Sequence, residues 1–223
     1  MSLVLMVRHA QASFGAANYD RLSDLGRRQS RWLGEYFAGR GVRFSRVMSG
    51  TLERQRDTAS EVLGAMGGDP ASIEIHEGLD EYHGEALFRA YTGADPRDAQ
   101  LGHYGSYWRV FREAMLAWSE DRVQGMPETW SAFGARVRDA LRAAAAGTAR
   151  DDVVLVVSSG GAISRAVADI VSSPASTAIE MNLHFRNTGV CELIWGAGRF
   201  RLLSFNGAPH LDHPQRRESI TFA

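Results

Sequence analysis

The sequence predicts an α/β fold, a three-layer α/β/α sandwich with a mostly parallel central sheet. Three apolar runs carry this reading: Leu3-Val4-Leu5-Met6-Val7, Val47-Met48 and Val153-Val154-Leu155-Val156-Val157. Each is followed by polar or small residues and then by apolar positions at helical spacing. A strand that is apolar at consecutive positions is buried on both sides, so helices must cover both faces of its sheet. Ligands of such sheets bind beyond the carboxyl ends of the strands. Arg8-His9, directly after the first run, is therefore placed at a pocket edge.

Taken in order, Ser23 or Asp24 caps a first helix carrying Leu25, Trp32, Leu33, Tyr36 and Phe37, which ends at Gly39 to Gly41. Val47-Met48 is a short strand, and a second helix follows Ser49-Gly50 with Leu52, Ala59, Val62, Leu63 and Met66 on one side. Ile73 to His76 alternates as a strand does and leads to Gly78-Leu79-Asp80-Glu81. The pattern from about 84 to 146 is helical and aromatic, and we read it as an insertion over one edge of the sheet within a single domain spanning 1–223. Its aromatics, Tyr104, Trp108 and Trp118 among them, are expected to pack rather than bind. After the strand at Val153, the turn Ser158-Ser159-Gly160-Gly161 opens a helix running to about Val171, and Val190 to Trp195 and Phe200 to Phe205 form a hairpin. The tail from Asn206 onward is expected along the surface.

At 223 residues, 44% apolar and net charge −1, the chain has enough apolar residues for one substantial core. No apolar run approaches the roughly 18–20 residues of a membrane-spanning helix, and no signal-peptide pattern opens the chain, so a cytoplasmic location with no membrane or nucleic-acid partner is expected. Cys191 stands alone in an apolar run, which excludes a disulfide or a cysteine-based zinc site within one chain. Every basic residue of the Lys/Arg class is Arg. Lysine chemistry is thereby excluded, and anion binding must rest on Arg, His and backbone amides.

A cation beside an imidazole at a sheet edge suits phosphoryl transfer, which needs a nucleophile, charge clamps for the phosphoryl oxygens and a proton for the leaving group. Arg54 in the first turn of the second helix adds a planar fork where helix amides also favour an anion.

The ordered motifs resemble the histidine phosphatase superfamily, with its phosphoglycerate-mutase-like fold. Arg8-His9-Ala10 matches the opening Arg-His-Gly, Leu22 and Gly26 match Leu-x-x-x-Gly, and Leu52, Arg54, Thr58 and Ala59 match Leu-x-Arg-x-x-x-Thr-Ala. Leu79 and Glu81 match Leu-x-Glu. The resemblance runs from residue 3 to about 205 and implies a nucleophilic His9, phosphate clamps Arg8 and Arg54, and Glu81 as proton donor, without metal or cofactor. Glu81 must then be protonated when the leaving group departs, which requires a raised pKa. Asp80 and Glu85 are given surface roles.

The chain departs from the family where a second histidine normally precedes Gly-Gly, because Ser159 stands there. Its hydroxyl and the amides of Gly160 and Gly161 can donate to a phosphoryl oxygen but bring no charge. One lost transition-state donor costs about 3–4 kcal/mol by analogy with oxyanion holes. His184 and His210 are the candidate replacement cations, with His210 placed in the phosphate site. Ala12 and Gly15 replace a Thr and an Asn of the family pattern, and Ser13 is expected to restore one hydrogen bond.

A metal site at His210-Leu211-Asp212-His213 is disfavoured because Pro214 breaks any aligning helix. Serine-hydrolase, dinucleotide and nucleoside-triphosphate motifs are absent. The expected activity is phosphomonoester hydrolysis through a phosphohistidine on His9. The alternatives are a catalytically weak phosphate-ester binder of the same fold, or a mutase. Substrate identity and oligomeric state carry no signal in the sequence.

Overall fold

The apolar residues of the first strand divide between two cores. In β1 (Ser2–Arg8), Val4 and Met6 face one side while Leu5 and Val7 face the other, and all four are buried. β4 (Val153–Ser158) repeats the division with Val154 and Val156 against Leu155 and Val157. The computed structural model describes residues 1–13, 20–95 and 104–222, with the side chains of 104–106 excepted. Phe14 to Ala17, whose loop follows His9, and the side chain of Tyr104 lie outside that set.

The remaining strands are β2 (Arg46–Ser49), β3 (Glu74–Ile75), β5 (Val190–Gly196) and β6 (Arg199–Gly207). They form one sheet in the order β3-β2-β4-β1-β5-β6. β3, β2, β4 and β1 are parallel, and β5 and β6 are antiparallel. The sheet is thus mostly parallel, as the apolar runs predicted. The register pairs Arg8 with Ser158 and Ser49 with Val157, so the carboxyl ends of β1, β4 and β2 lie side by side.

Helices α1 (Asp24–Gly39) and α2 (Glu53–Ala65) cover the face carrying Leu5, Val7, Leu155 and Val157, packing Leu33, Phe37, Val62 and Leu63 against it. On the opposite face lie α3 (Gly84–Thr92), α4 (Tyr104–Ser119), α5 (Trp130–Ala145), α6 (Gly160–Ile170) and α7 (Ala175–Leu183). The three layers follow from the two-sided burial of β1 and β4.

The segment read as an edge insertion contributes to a face instead. Phe133, Val137, Ala140 and Leu141 of α5 join Val4, Met6, Val154 and Val156 in one core, which also holds Met115 and Trp118 of α4. The cause is apolar area: α5 buries eight residues, too many for a strand edge to cover. Helix α7, which the sequence pattern did not suggest, begins after Pro174 and buries Ala178 and Ile179. Its Ser-Thr-rich first turn resembles a loop. Cys191 is packed inside β5, where burial pushes its thiol up to about 12.

The tail is more internal than its polar composition suggests. His210 and Leu211 are buried, and the Ser219 carbonyl and the Thr221 hydroxyl accept hydrogen bonds from Nε2 of the buried Gln29 at 2.7 and 2.9 Å. Thr221 also donates its hydroxyl to Asn187 Oδ1 at 2.9 Å and accepts the Asn187 backbone N–H at 2.9 Å.

Gly26 explains one glycine of the sequence motifs. A Cβ there would stand 2.2 Å from the Gln11 carbonyl oxygen, so only glycine lets α1 approach the loop after His9. Gly64, by contrast, is exposed in α2 with nothing within 4 Å of a Cβ. We expect Gly26→Ala to lower stability by about 1–3 kcal/mol, the usual cost of overpacking. Gly64→Ala is expected to raise it by roughly 0.5–1 kcal/mol. Denaturant unfolding of both variants checks the pair.

Candidate functional site

His9 leaves the end of β1 with its backbone N–H donated to the Ser158 carbonyl at 2.8 Å, extending the β1–β4 ladder by one residue. Its imidazole is buried. Nδ1–H donates to the Ala10 carbonyl at 2.8 Å, which can only accept, so Nε2 carries the lone pair. Arg54 Nε–H donates to that nitrogen at 3.1 Å. Burial, then the guanidinium groups of Arg54 and Arg8, hold the ring's pKa well below its ordinary value. At neutral pH it is a fixed tautomer of neutral imidazole.

Two sets of contacts place this residue. On the α2 side, Thr58 Oγ1 accepts the Ala10 N–H at 3.0 Å and donates to the Arg54 carbonyl at 2.7 Å, tying the His9 loop to the helix that carries Arg54. On the β5 side, the Gly189 carbonyl accepts the Arg8 N–H, Thr188 donates to the Arg8 carbonyl, and Asn187 Nδ2 donates to the His9 carbonyl at 3.2 Å. Arg8 is buried and donates Nη1–H to the Phe185 carbonyl.

The first turn of α2 already holds a carboxylate. Leu52 at the cap position has no side-chain bond to offer, and Asp20 takes that role from a distant loop. Its Oδ2 accepts the Glu53 N–H at 2.8 Å, while Oδ1 accepts Arg54 Nη1–H at 2.7 Å and the Arg54 N–H at 3.5 Å. The amides expected to receive a phosphate are thus occupied by an internal anion, which also fixes the Arg54 fork.

Glu81 lies at the start of α6. Its Oε2 accepts the Gly161 N–H at 2.9 Å and its Oε1 the Tyr82 N–H at 3.2 Å. Burial raises its pKa against the opposing pull of those amides and of Arg54 and Arg8. A Cβ on Gly161 would come within 2.4 Å of Glu81 Oε1, so the carboxyl depends on that glycine. The segment bearing Glu81 is held from α5: Arg136 donates to the carbonyls of Gly78 at 3.2 Å and Asp80 at 2.7 Å, and Glu128 grips its fork at 2.8 and 2.7 Å.

Asp80 has more than a surface role, since its carboxylate accepts the Thr51 N–H at 2.6 Å and the Thr51 hydroxyl at 2.5 Å, bracing the turn before α2. Tyr82 packs between Phe111, Trp118 and Phe133. Glu85 is exposed. Ser13 donates its N–H to the Arg21 carbonyl at 2.7 Å. Ser159 is fully buried at the cap position of α6 and accepts Gln55 Nε2–H at 2.8 Å. A Cβ on Gly160 would lie 3.4 Å from Arg8 Nε, so the helix start abuts the Arg8 fork.

Neither candidate replacement histidine joins this cluster through its ring. His184 is exposed, with Nδ1 at the Glu180 carbonyl. The buried His210 sits behind the site, where Nε2 meets Thr188 Oγ1 at 2.8 Å. Thr188 donates its hydroxyl to the Asn187 carbonyl, so His210 Nε2 is the donor. Burial, then Arg216, lowers the pKa of His210 to about 3, so it supplies no positive charge at neutral pH. Among the described residues no group of three or more His, Cys, Asp or Glu could hold a metal ion, and no helix is long and apolar enough to cross a membrane.

Asp20, Gln55, Asn187 and Arg136 are absent from the sequence-derived set. Gln55 adjoins a motif residue, which was the one available signal; the others act through contacts distant in sequence.

The profile of the histidine phosphatase superfamily (branch 1) matches residues 4–208, and the chain belongs to that family. No curated protein matches the sequence. Among solved structures, a phosphoserine phosphatase mutant from Entamoeba histolytica in complex with phosphoserine is similar at TM-score 0.67 and 17% identity, covering 95% of this chain and 100% of that one. YhfR from Bacillus stearothermophilus is similar at TM-score 0.71 and 16% identity, covering 94% and 99%. The mycobacterial glucosyl-3-phosphoglycerate phosphatase in complex with inorganic phosphate is similar at TM-score 0.66 and 24% identity, covering 94% and 99%. These likenesses establish the shared fold.

The buried His210 gives a prediction with a definite sign. Unfolded histidine takes up a proton below about pH 6.5, whereas the folded ring does so only near 3. Its stabilising contribution is therefore present above that unfolded value and lost as the pH falls toward the folded one. His210→Gln keeps a donor for Thr188, and its melting temperature is expected to fall less than that of the unaltered protein between neutral pH and about pH 4. Equal losses in the two proteins exclude His210 as the titrating group.

Proposed function

We propose that the protein hydrolyses a small phosphomonoester through a phosphohistidine on His9, without a metal. The observation that carries this reading is the neutral His9 Nε2, its lone pair facing Arg54 Nε at 3.1 Å. On entry of a substrate, Arg54 and Arg8 turn their N–H groups to the phosphoryl oxygens, with the hydroxyl of Ser159 and the Gly160 amide as further donors. The Arg54 bond to Nε2 is given up at that moment, which frees the nucleophile.

The Nε2–P bond then forms as the bond from phosphorus to the leaving oxygen breaks. Glu81, whose pKa burial raises, gives that oxygen a proton from its acid form. Water next attacks phosphorus with Glu81 as base, inorganic phosphate leaves, and His9 returns to its neutral tautomer. The names of the structural neighbours support a small phosphorylated metabolite as substrate class, and a cytoplasmic location fits such a substrate.

Ser159 favours a second reading, a phosphate-ester binder with little turnover, because no imidazolium stands there to balance the transition-state charge. Hydrolysis of p-nitrophenyl phosphate decides between them. In the hydrolase reading, His9→Asn abolishes turnover while its unfolding transition stays cooperative. Rapid quenching of the unaltered protein yields a phosphoryl adduct stable to base and labile to acid, as a phosphoramidate is. Turnover in His9→Asn equal to that of the unaltered protein removes the covalent step.

Glu81→Gln tests the proton donor separately. The raised pKa sets the alkaline limb of the rate profile, since activity falls as the acid form is lost with rising pH. That limb is expected to disappear in Glu81→Gln, with turnover of p-nitrophenyl phosphate falling less than turnover of an alkyl phosphate whose leaving group needs the proton.

A further inference from the structure

We propose that Gln55 and Ser159 act as one unit in place of the family's second imidazole, with Gln55 the positioning residue that turns the Ser159 hydroxyl toward bound phosphate. This inference rests on the phosphate-binding reading of the site. Gln55 is fully buried on α2, next to Arg54 in sequence, and reaches Ser159 at the end of β4. Its Nε2 donates to Ser159 Oγ at 2.8 Å and to the Leu79 carbonyl at 3.1 Å.

The Leu79 carbonyl fixes which way the amide faces. It can only accept, and it also receives the Ser158 hydroxyl at 2.6 Å, so the oxygen of Gln55 cannot replace Nε2 there. Ser159 Oγ consequently accepts from Gln55, and its own hydrogen is not spent on that partner. The backbone carbonyl of the preceding Ser158 holds the His9 N–H, which places Ser159 beside the nucleophile.

A second observation separates this role from one of plain packing. Gln55 Oε1 is buried with no hydrogen-bond partner among the described residues. A Cβ on Gly50 would stand 1.9 Å from that oxygen, so the turn after β2 leaves room for the amide while giving it nothing to accept from. An unpaired buried acceptor opposes folding. The bonds to Ser159 and to the Leu79 carbonyl are what the amide offers in return, and the Leu79 carbonyl keeps the Ser158 hydroxyl as a donor without it.

The experiment measures inorganic phosphate binding to the full chain by calorimetry, alongside thermal unfolding. Ser159→Ala is expected to weaken binding roughly ten- to a hundredfold, the range for a hydrogen bond to a charged group. Gln55→Met keeps the volume and removes both the donor and the unpaired acceptor. It is expected to weaken binding about three- to tenfold with a melting temperature equal to or above that of the unaltered protein. The double variant is expected to bind no more weakly than Ser159→Ala alone, because the two residues act on phosphate through one hydroxyl.

Gln55→Glu provides a second arm if Gln55→Met lowers the melting temperature. Its carboxylate accepts the Ser159 proton, and it is expected to weaken binding more than Gln55→Met does. Unaltered affinity in both Gln55 variants, or losses that add in the double variant, overturns the proposal. Failure of the unaltered protein either to bind phosphate or to hydrolyse p-nitrophenyl phosphate is a different result, which removes the phosphate-site reading and this inference with it.

Discussion

A neutral imidazole held against a guanidinium group is the contact on which the rest of the structure depends. Bringing His9 and Arg54 to 3.1 Å in a buried setting is tolerable only while the ring carries no proton, since a second positive charge there would be both desolvated and repelled. The fold enforces that condition from several directions. The Ala10 carbonyl takes the Nδ1 proton, Thr58 locks the loop to α2, and Asp20 anchors the far side of the Arg54 fork. The result is a neutral ring whose Nε2 lone pair faces Arg54 and whose orientation is set by contacts on both sides.

Charge at the site is arranged in opposition. Arg8 and Arg54 bring positive charge to the end of β1, whereas Asp20 and Glu81 occupy two helix starts that an anion would otherwise favour. Glu81 answers the same low-dielectric surroundings in the opposite sense to His9: burial makes the carboxyl easier to protonate and the imidazole harder. Gly161 is the residue that admits the Glu81 carboxyl, so the Gly-Gly pair after Ser159 is tied to Glu81 by space as well as by a hydrogen bond.

The fold was legible because burial on both faces of β1 and β4 leaves continuous apolar runs, a pattern that few other arrangements produce. That Arg8, His9, Arg54 and Glu81 lie near one another was legible because ordered motifs mark all four. The misreadings have a common cause. Its place near a strand end suggests a phosphate-site role for His210, yet its partner is Thr188, twenty-two positions earlier, and no local pattern encodes that pairing. The 84–146 segment packs on a face, which its pattern does not show, because periodicity tells which residues of a helix are buried, not which layer they are buried against. Asp20 and Arg136 act on backbone groups 33 and 56 residues away, and such contacts leave no spacing to read.

The tie between Asn187 and Thr221 has a consequence for how the molecule is made. Asn187 supplies the bond to the His9 carbonyl, and Thr221 supplies bonds to Asn187 and to Gln29, so the floor beneath His9 spans contacts separated by 178 and 192 residues. Contacts of such high sequence separation form late, after local helices and hairpins. During synthesis the first strand and its histidine leave the ribosome long before residues 187 and 221, and the nascent chain carries an open, unfinished corner around His9 until those segments emerge.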